Sequence, residues 1–184
     1  MRKLYHPLEK ISTERGRALF WPWLVATITV MVILNVINLP LQTEAAPMGI
    51  VSYQLAGDVP AVERIIASWD ARARIFVGFS LGLDYLFMPL YGVLFAWLCI
   101  RAAERMREHA PILSDIGIGL AWSVGLGALL DATENALQFW MLVSAPRSPW
   151  PQVMWGCAVV KFGALVLAGL YALMSRLWAA RGPR

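Results

Sequence analysis

The chain has 184 residues, of which 59% are hydrophobic and 15% charged, with a mean hydropathy of +0.58 and a net charge of +4. A soluble domain carries about 45–50% apolar and about 25% charged residues, so a soluble globular fold is excluded. The small positive charge sits mostly in short loops, where it carries topology information and gives no ground for a nucleic-acid partner.

In chain order, the first apolar run is 18–39, opened by Trp21-Pro22-Trp23 and closed by Pro40. It is too long for a signal-peptide core of about 7–15 residues, and Thr43-Glu44-Ala45-Ala46 is a poor cleavage site, so an uncleaved helix is expected. An outer loop, 40–74, follows. Met48 to Leu55 reads as extended or tucked chain. Asp58 reads as an N-cap with Pro60 in the first turn, and Val62, Ile65, Ile66 and Trp69 share one face of an amphipathic helix. The plain expectation lays that helix on the outer surface with Trp69 at headgroup level; the alternative is a lid over a pocket. Three further runs, 75–100, 116–143 and 152–174, each meet the requirement of about 20 residues for a spanning helix. The second and third spans exceed it and are expected to tilt or project. The fold class predicted is all-α, a single four-helix transmembrane bundle (1–184) with an outer amphipathic helix.

Lys and Arg orient the bundle. Arg2, Lys3, Lys10, Arg15 and Arg17 precede the first span; Arg101, Arg105 and Arg107 lie between the second and third; Arg176, Arg181 and Arg184 close the chain. Only Arg64, Arg72, Arg74 and Arg147 lie on the other side. This asymmetry predicts both termini in the cytoplasm, in a bacterial inner membrane.

Cys99 and Cys157 are expected at opposite faces, out of disulfide reach, and the absence of C-x-x-C argues against a thiol oxidoreductase. His6 and His109 lie outside the apolar runs. That leaves no axial ligand pair for a haem and no histidine for a metal site in the core; no cofactor is implied.

The chemistry-bearing feature is a set of ionisable residues within the spans. Asp84, Glu134 and Lys161 each lie nine residues from the outer end of their run, roughly 13 Å down and near the middle of a core of about 30 Å. Asp131 lies one turn deeper. Asp131, Glu134, Asn135 and Gln138 share one helix face, which Gly127, Ser123 and Gly119 extend in four-residue steps as a close-packing stripe. Asn35 and Asn38 sit near the outer end of the first span, and Ser80 and Tyr91 lie on the face of Asp84. A lone charge in hydrocarbon is costly, so such residues face a bundle interior and find partners. Three carboxylates and one lysine in a dry core predict an ion pair to Lys161 and at least one carboxylic acid held neutral; a bound cation or a water-filled cavity would be other solutions. The bland reading is that these groups fix helix register.

Gly49-Ile50-Val51-Ser52-Tyr53-Gln54-Leu55-Ala56-Gly57, then Trp69, then Gly82-Leu83-Asp84-Tyr85-Leu86-Phe87, then Asp131-Ala132-Thr133-Glu134-Asn135 resemble a group of uncharacterised bacterial four-span membrane proteins. The resemblance covers most of the chain from Pro47 onward and implies no activity. In architecture the chain is also similar to the sterol-isomerase and sigma-2-receptor superfamily, small bundles with acidic residues in the membrane, although the lack of a histidine within the spans counts against its isomerase branch.

The leading functional expectation is a site for a small amphipathic or lipid-like ligand at Asp84, Asp131, Glu134, Asn135, Gln138 and Lys161, with Asp84 and Glu134 on a polar headgroup and Lys161 as counter-ion. Three alternatives stand beside it. One is a lipid-modifying enzyme in which buried Glu134 or Asp131 is the acid. Another is a proton-coupled carrier, which with only four spans would need a homo-oligomer. The last is an accessory subunit of a larger membrane complex. The partner common to all four is the lipid bilayer.

Overall fold

The computed structural model describes residues 5–11 and 13–180; of the basic residues counted above, Arg2, Lys3, Arg181 and Arg184 lie outside the described residues. Six α-helices follow one another: α1 (Thr13–Asn38), α2 (Ile50–Gln54), α3 (Val59–Ser68), α4 (Ala71–Met106), α5 (Pro111–Val143) and α6 (Trp150–Ala180). Four of them, α1, α4, α5 and α6, are long and apolar enough to cross a membrane, and the protein is a multi-pass membrane protein. α4 and α5, with 36 and 33 residues, reach roughly 54 and 50 Å at 1.5 Å per residue, well beyond an apolar core of about 30 Å. The apolar runs of the sequence therefore understate both helices. Their polar ends, such as Ala71–Arg74 and Arg101–Met106, continue the helix outside the hydrocarbon, where helix costs nothing in hydrophobicity.

α4, α5 and α6 form the packed centre, and α1 lies against α4 at the periphery. α1 exposes Val25, Ile28, Val32 and Val36, as a lipid-facing helix should. It is fastened by the Trp23 indole N–H, which donates to the Leu90 carbonyl at 2.9 Å. Pro89 stands inside α4, one turn inward of Asp84, and its missing N–H leaves the Tyr85 carbonyl without its helical donor.

The outer segment corrects two expectations. Met48 to Leu55 is not extended: Gly49, at φ 61, turns the chain into the short α2. The Asn38 side chain fixes that turn. Its Oδ1 accepts from the Ile50 N–H at 2.8 Å, and its Nδ2 donates to the Met48 carbonyl at 3.2 Å. Asp58 does cap α3, its carboxylate accepting from the Ala61 N–H at 2.7 Å, but Trp69 is not an exposed surface ring. Trp69 is 2% exposed, donates its indole N–H to the Leu41 carbonyl at 2.9 Å and meets Tyr53 edge-on. With Val62, Ile65, Val77, Leu81, Met141 and Met154 these rings make an apolar cluster capping α4, α5 and α6 at the α2–α3 end of the bundle. The amphipathic face was read correctly; what it covers is the bundle end.

A second apolar cluster, including Ile100, Ala103, Ile118, Ala121, Val124 and Ala168, fills the opposite end. There the small-residue stripe also departs from expectation. Gly127 lies against Lys161 Cα, but Gly119 is exposed with open space beside it. The buried face continues through Val124, Ala121 and Gly117 instead. At about 100° per residue, steps of four drift about 40° each, so three of them carry Gly119 about 120° off the direction of Asp131.

Candidate functional site

Between the two apolar clusters lies a layer of polar side chains drawn from α4, α5 and α6. Lys161, 4% exposed, is its centre. Its ammonium lies 2.6 Å from Asp131 Oδ1 and 2.9 Å from Glu134 Oε2, and 4.7 Å from the centre of the Phe162 ring. The Tyr91 hydroxyl donates to Asp131 Oδ2 at 2.7 Å, so both oxygens of Asp131 are engaged. Gln138 Nε2 donates to Glu134 Oε1 at 3.1 Å and, more loosely, to Asn135 Oδ1 at 3.4 Å. Asn135 Nδ2 in turn donates to Asp84 Oδ2 at 2.8 Å. All the predicted site residues thus join one chain of hydrogen bonds and ion pairs, running from Asp84 through Asn135, Gln138 and Glu134 to Lys161 and Asp131.

Two acceptors in this layer are under-satisfied among the described residues. Glu134 Oε2 meets the ammonium off the hydrogen-bonding direction, and Gln138 Oε1 has no donor. Both belong to side chains with no exposed surface. Buried polar groups are normally satisfied, and an orphan at this depth is costly. The charge count is also uneven: one ammonium faces two carboxylates directly, and Asp84 adds a third that is held by an amide alone.

Asp84 is half-buried because it stands at the wall of a cavity of about 250 Å³. The cavity lies between α1 and α6. Asp131 and Lys161 line it with Asp84 and Tyr91; Phe87, Phe95, Phe162 and Leu165 supply apolar walls; Leu34, Asn35 and Asn38 of α1 and Ile50, Val51 and Gln54 of α2 complete it. A smaller cavity of about 60 Å³ lies on the other flank of Asp84, bordered by Ser80, Leu81, Gln54 and Asn135, with room for about one or two waters. Polar groups at one end and aromatic walls along the rest are the usual build of a small-molecule site.

The structure divides the predicted residues. Asp84, Asp131 and Lys161 line the larger cavity; Glu134, Asn135 and Gln138 sit behind them and hold them in place. The expectation that Glu134 itself meets a ligand headgroup is therefore not supported by its position. The lining also takes in residues outside that expected set, Tyr91 and Gln54 among them. Tyr91 is seven residues from Asp84, two turns along the same face, so the signal was present. Gln54 is hidden in a segment that reads as extended or tucked chain, where the structure has the short α2. Among the described residues no group of three or more His, Cys, Asp and Glu is arranged to hold a metal ion. Cys99 and Cys157 are free and buried.

Compared with known protein families, with proteins of described function and with solved structures, the chain matches none.

Proposed function

We propose that this protein binds a small amphipathic or lipid-like ligand in the cavity between α1 and α6, its polar end on Asp84, Tyr91 and the Asp131–Lys161 pair and its apolar part along Phe87, Phe95 and Phe162. The observation that carries this reading is the coincidence of the cavity with the charged layer. A register-fixing cluster needs no cavity beside it, and a cavity formed by loose packing has no reason to end on a carboxylate that lacks a cationic partner. The outer position, beneath the cap formed by α2 and α3, supports access from the leaflet at that end. The basic asymmetry of the loops supports both termini in the cytoplasm of a bacterial inner membrane, with the cavity in the outer half.

Two of the alternatives lose support. A proton- or ion-coupled carrier needs a polar route through the bundle, and the layer is bounded on the inner side by the cluster around Ile100, Ile118, Val124 and Ala168. A purely structural layer is favoured by one observation, the complete burial of Glu134 and Gln138, and applies to that half of the network. The test is to fill the cavity without touching the charges. Leu34→Trp and Val51→Trp, at half-buried wall positions, should reduce the co-purifying lipid-like molecule seen by native mass spectrometry while leaving the thermal midpoint within a few degrees. Full retention in both variants would reject the site.

A further inference from the structure

At the end of the bundle opposite the α2–α3 cap, α1, α4 and α6 enclose an open groove of about 610 Å³. We infer that this groove is a binding site for the phosphate headgroup of an anionic phospholipid. Arg101, Arg105 and Arg176 line it, and among the described residues Glu104 is the single acid there. Arg101 contacts Glu104 at 2.9 Å and lies 5.9 Å from the centre of the Trp97 ring. Arg105 and Arg176 are exposed and make no ion pair among the described residues. The lining therefore carries two more positive than negative charges, concentrated in one concavity.

The position specifies a lipid over a soluble phosphate. Phe20 and Trp21 open the apolar run of α1, Arg101 and Arg105 follow the end of the apolar run of α4, and Arg176 follows that of α6. The groove thus lies at the level where the spans leave the hydrocarbon, the depth of a phospholipid headgroup. Trp21 is 67% exposed beside it, an amphipathic ring at the interfacial level. Guanidinium groups suit phosphate oxygens by geometry as well as charge, and basic pockets between membrane helices take anionic headgroups in general. At Gly16 the absent side chain admits the packing: a Cβ there would collide with the Arg101 guanidinium and the Trp97 ring. The inner wall of the groove is thereby built from α4 side chains seated on the α1 backbone.

The experiment compares the full-length protein in nanodiscs of phosphatidylcholine containing a minor fraction of phosphatidylglycerol, reading lipids retained after gentle release by native mass spectrometry. The wild type should retain phosphatidylglycerol in preference to phosphatidylcholine. Arg105→Gln/Arg176→Gln should weaken that preference about twenty-five- to thirtyfold, at the usual contribution of a basic residue near an anionic surface; either single variant should weaken it about fivefold, and serves if the double variant does not fold. The charge-matched control Arg72→Gln/Arg147→Gln, at the far end of the bundle, should retain the preference. Inorganic phosphate at millimolar concentration should not displace the lipid. Equal loss in the control would show only general charge attraction and overturn the site. Displacement by inorganic phosphate, or no preference in the wild type, would overturn it as well.

Discussion

Lys161 is the residue on which the polar layer turns, since among the described residues it alone supplies positive charge to it. Removing one side of a buried pair leaves the other charge uncompensated, at a typical cost of about 3–5 kcal/mol. Lys161→Met should destabilise the bundle by that order in denaturant titrations in micelles, and adding Asp131→Asn and Glu134→Gln should recover part of the loss. No recovery in either combination would mean that the contacts at 2.6 and 2.9 Å carry no energy. Tyr91→Phe, which removes only the donor to Asp131 Oδ2, should cost much less, near the average of about 0.6 kcal/mol for polar contacts between membrane helices. These side chains were legible in the sequence because charge within an apolar run is rare and depth can be counted along a helix. The division of labour among them was not legible: whether a carboxylate lines a cavity or lies behind it depends on a few tens of degrees of helix rotation, and on the placement of α1, which carries no ionisable group at that depth.

The elements differ in how far their sequence specified them. The four long helices follow from hydropathy, because hydrocarbon leaves the backbone no other partner than itself. The cap formed by α2 and α3 depends on contacts remote in sequence, Asn38 to Ile50, Tyr53 to the Gln138 carbonyl, Trp69 to the Leu41 carbonyl, and the amphipathic pattern of α3 reads the same on a membrane surface as on a bundle end. Gly49 is the turn that permits the cap: its φ of 61 lies in the left-handed region, and a Cβ would collide with the Asn38 amide. Gly49→Ala should therefore destabilise by more than about 1 kcal/mol and raise hydrogen exchange through residues 50–54; unchanged exchange would mean that the turn is not under this constraint. The N-terminal segment offers a pH test. His6 is buried against Trp122, and its Nδ1 accepts the Leu8 N–H at 3.2 Å. Burial lowers its pKa below the ordinary 6.5, against an opposing pull from Glu9. A lowered value means that the unfolded segment takes up the proton more readily. The contribution of His6 is therefore complete above about 6.5 and is lost as pH falls below it. Limited proteolysis near residues 5–11 should accelerate on acidification, and His6→Gln should abolish that response; a rate independent of pH would contradict the assignment.

For the molecule as a whole, the account is a bundle whose two apolar ends clamp a polar layer, with that layer reached from the side through the gap between α1 and α6. The proposed orientation, with both termini in the cytoplasm, predicts that a C-terminal reporter active only in the periplasm is silent; activity there would invert the bundle and move the cavity to the inner half. The most direct measurement of the central claim compares the wild type with Asp84→Asn, purified in parallel and exposed to a bacterial lipid extract, reading bound mass by native mass spectrometry and stability by thermal unfolding. The substitution keeps the size of the side chain and an acceptor for the Asn135 amide, so a structural role should tolerate it. The thermal midpoint should be unchanged, and a ligand of defined mass that the wild type retains should be lost. Retention of the same ligand by Asp84→Asn, at the same stability, would contradict the claim.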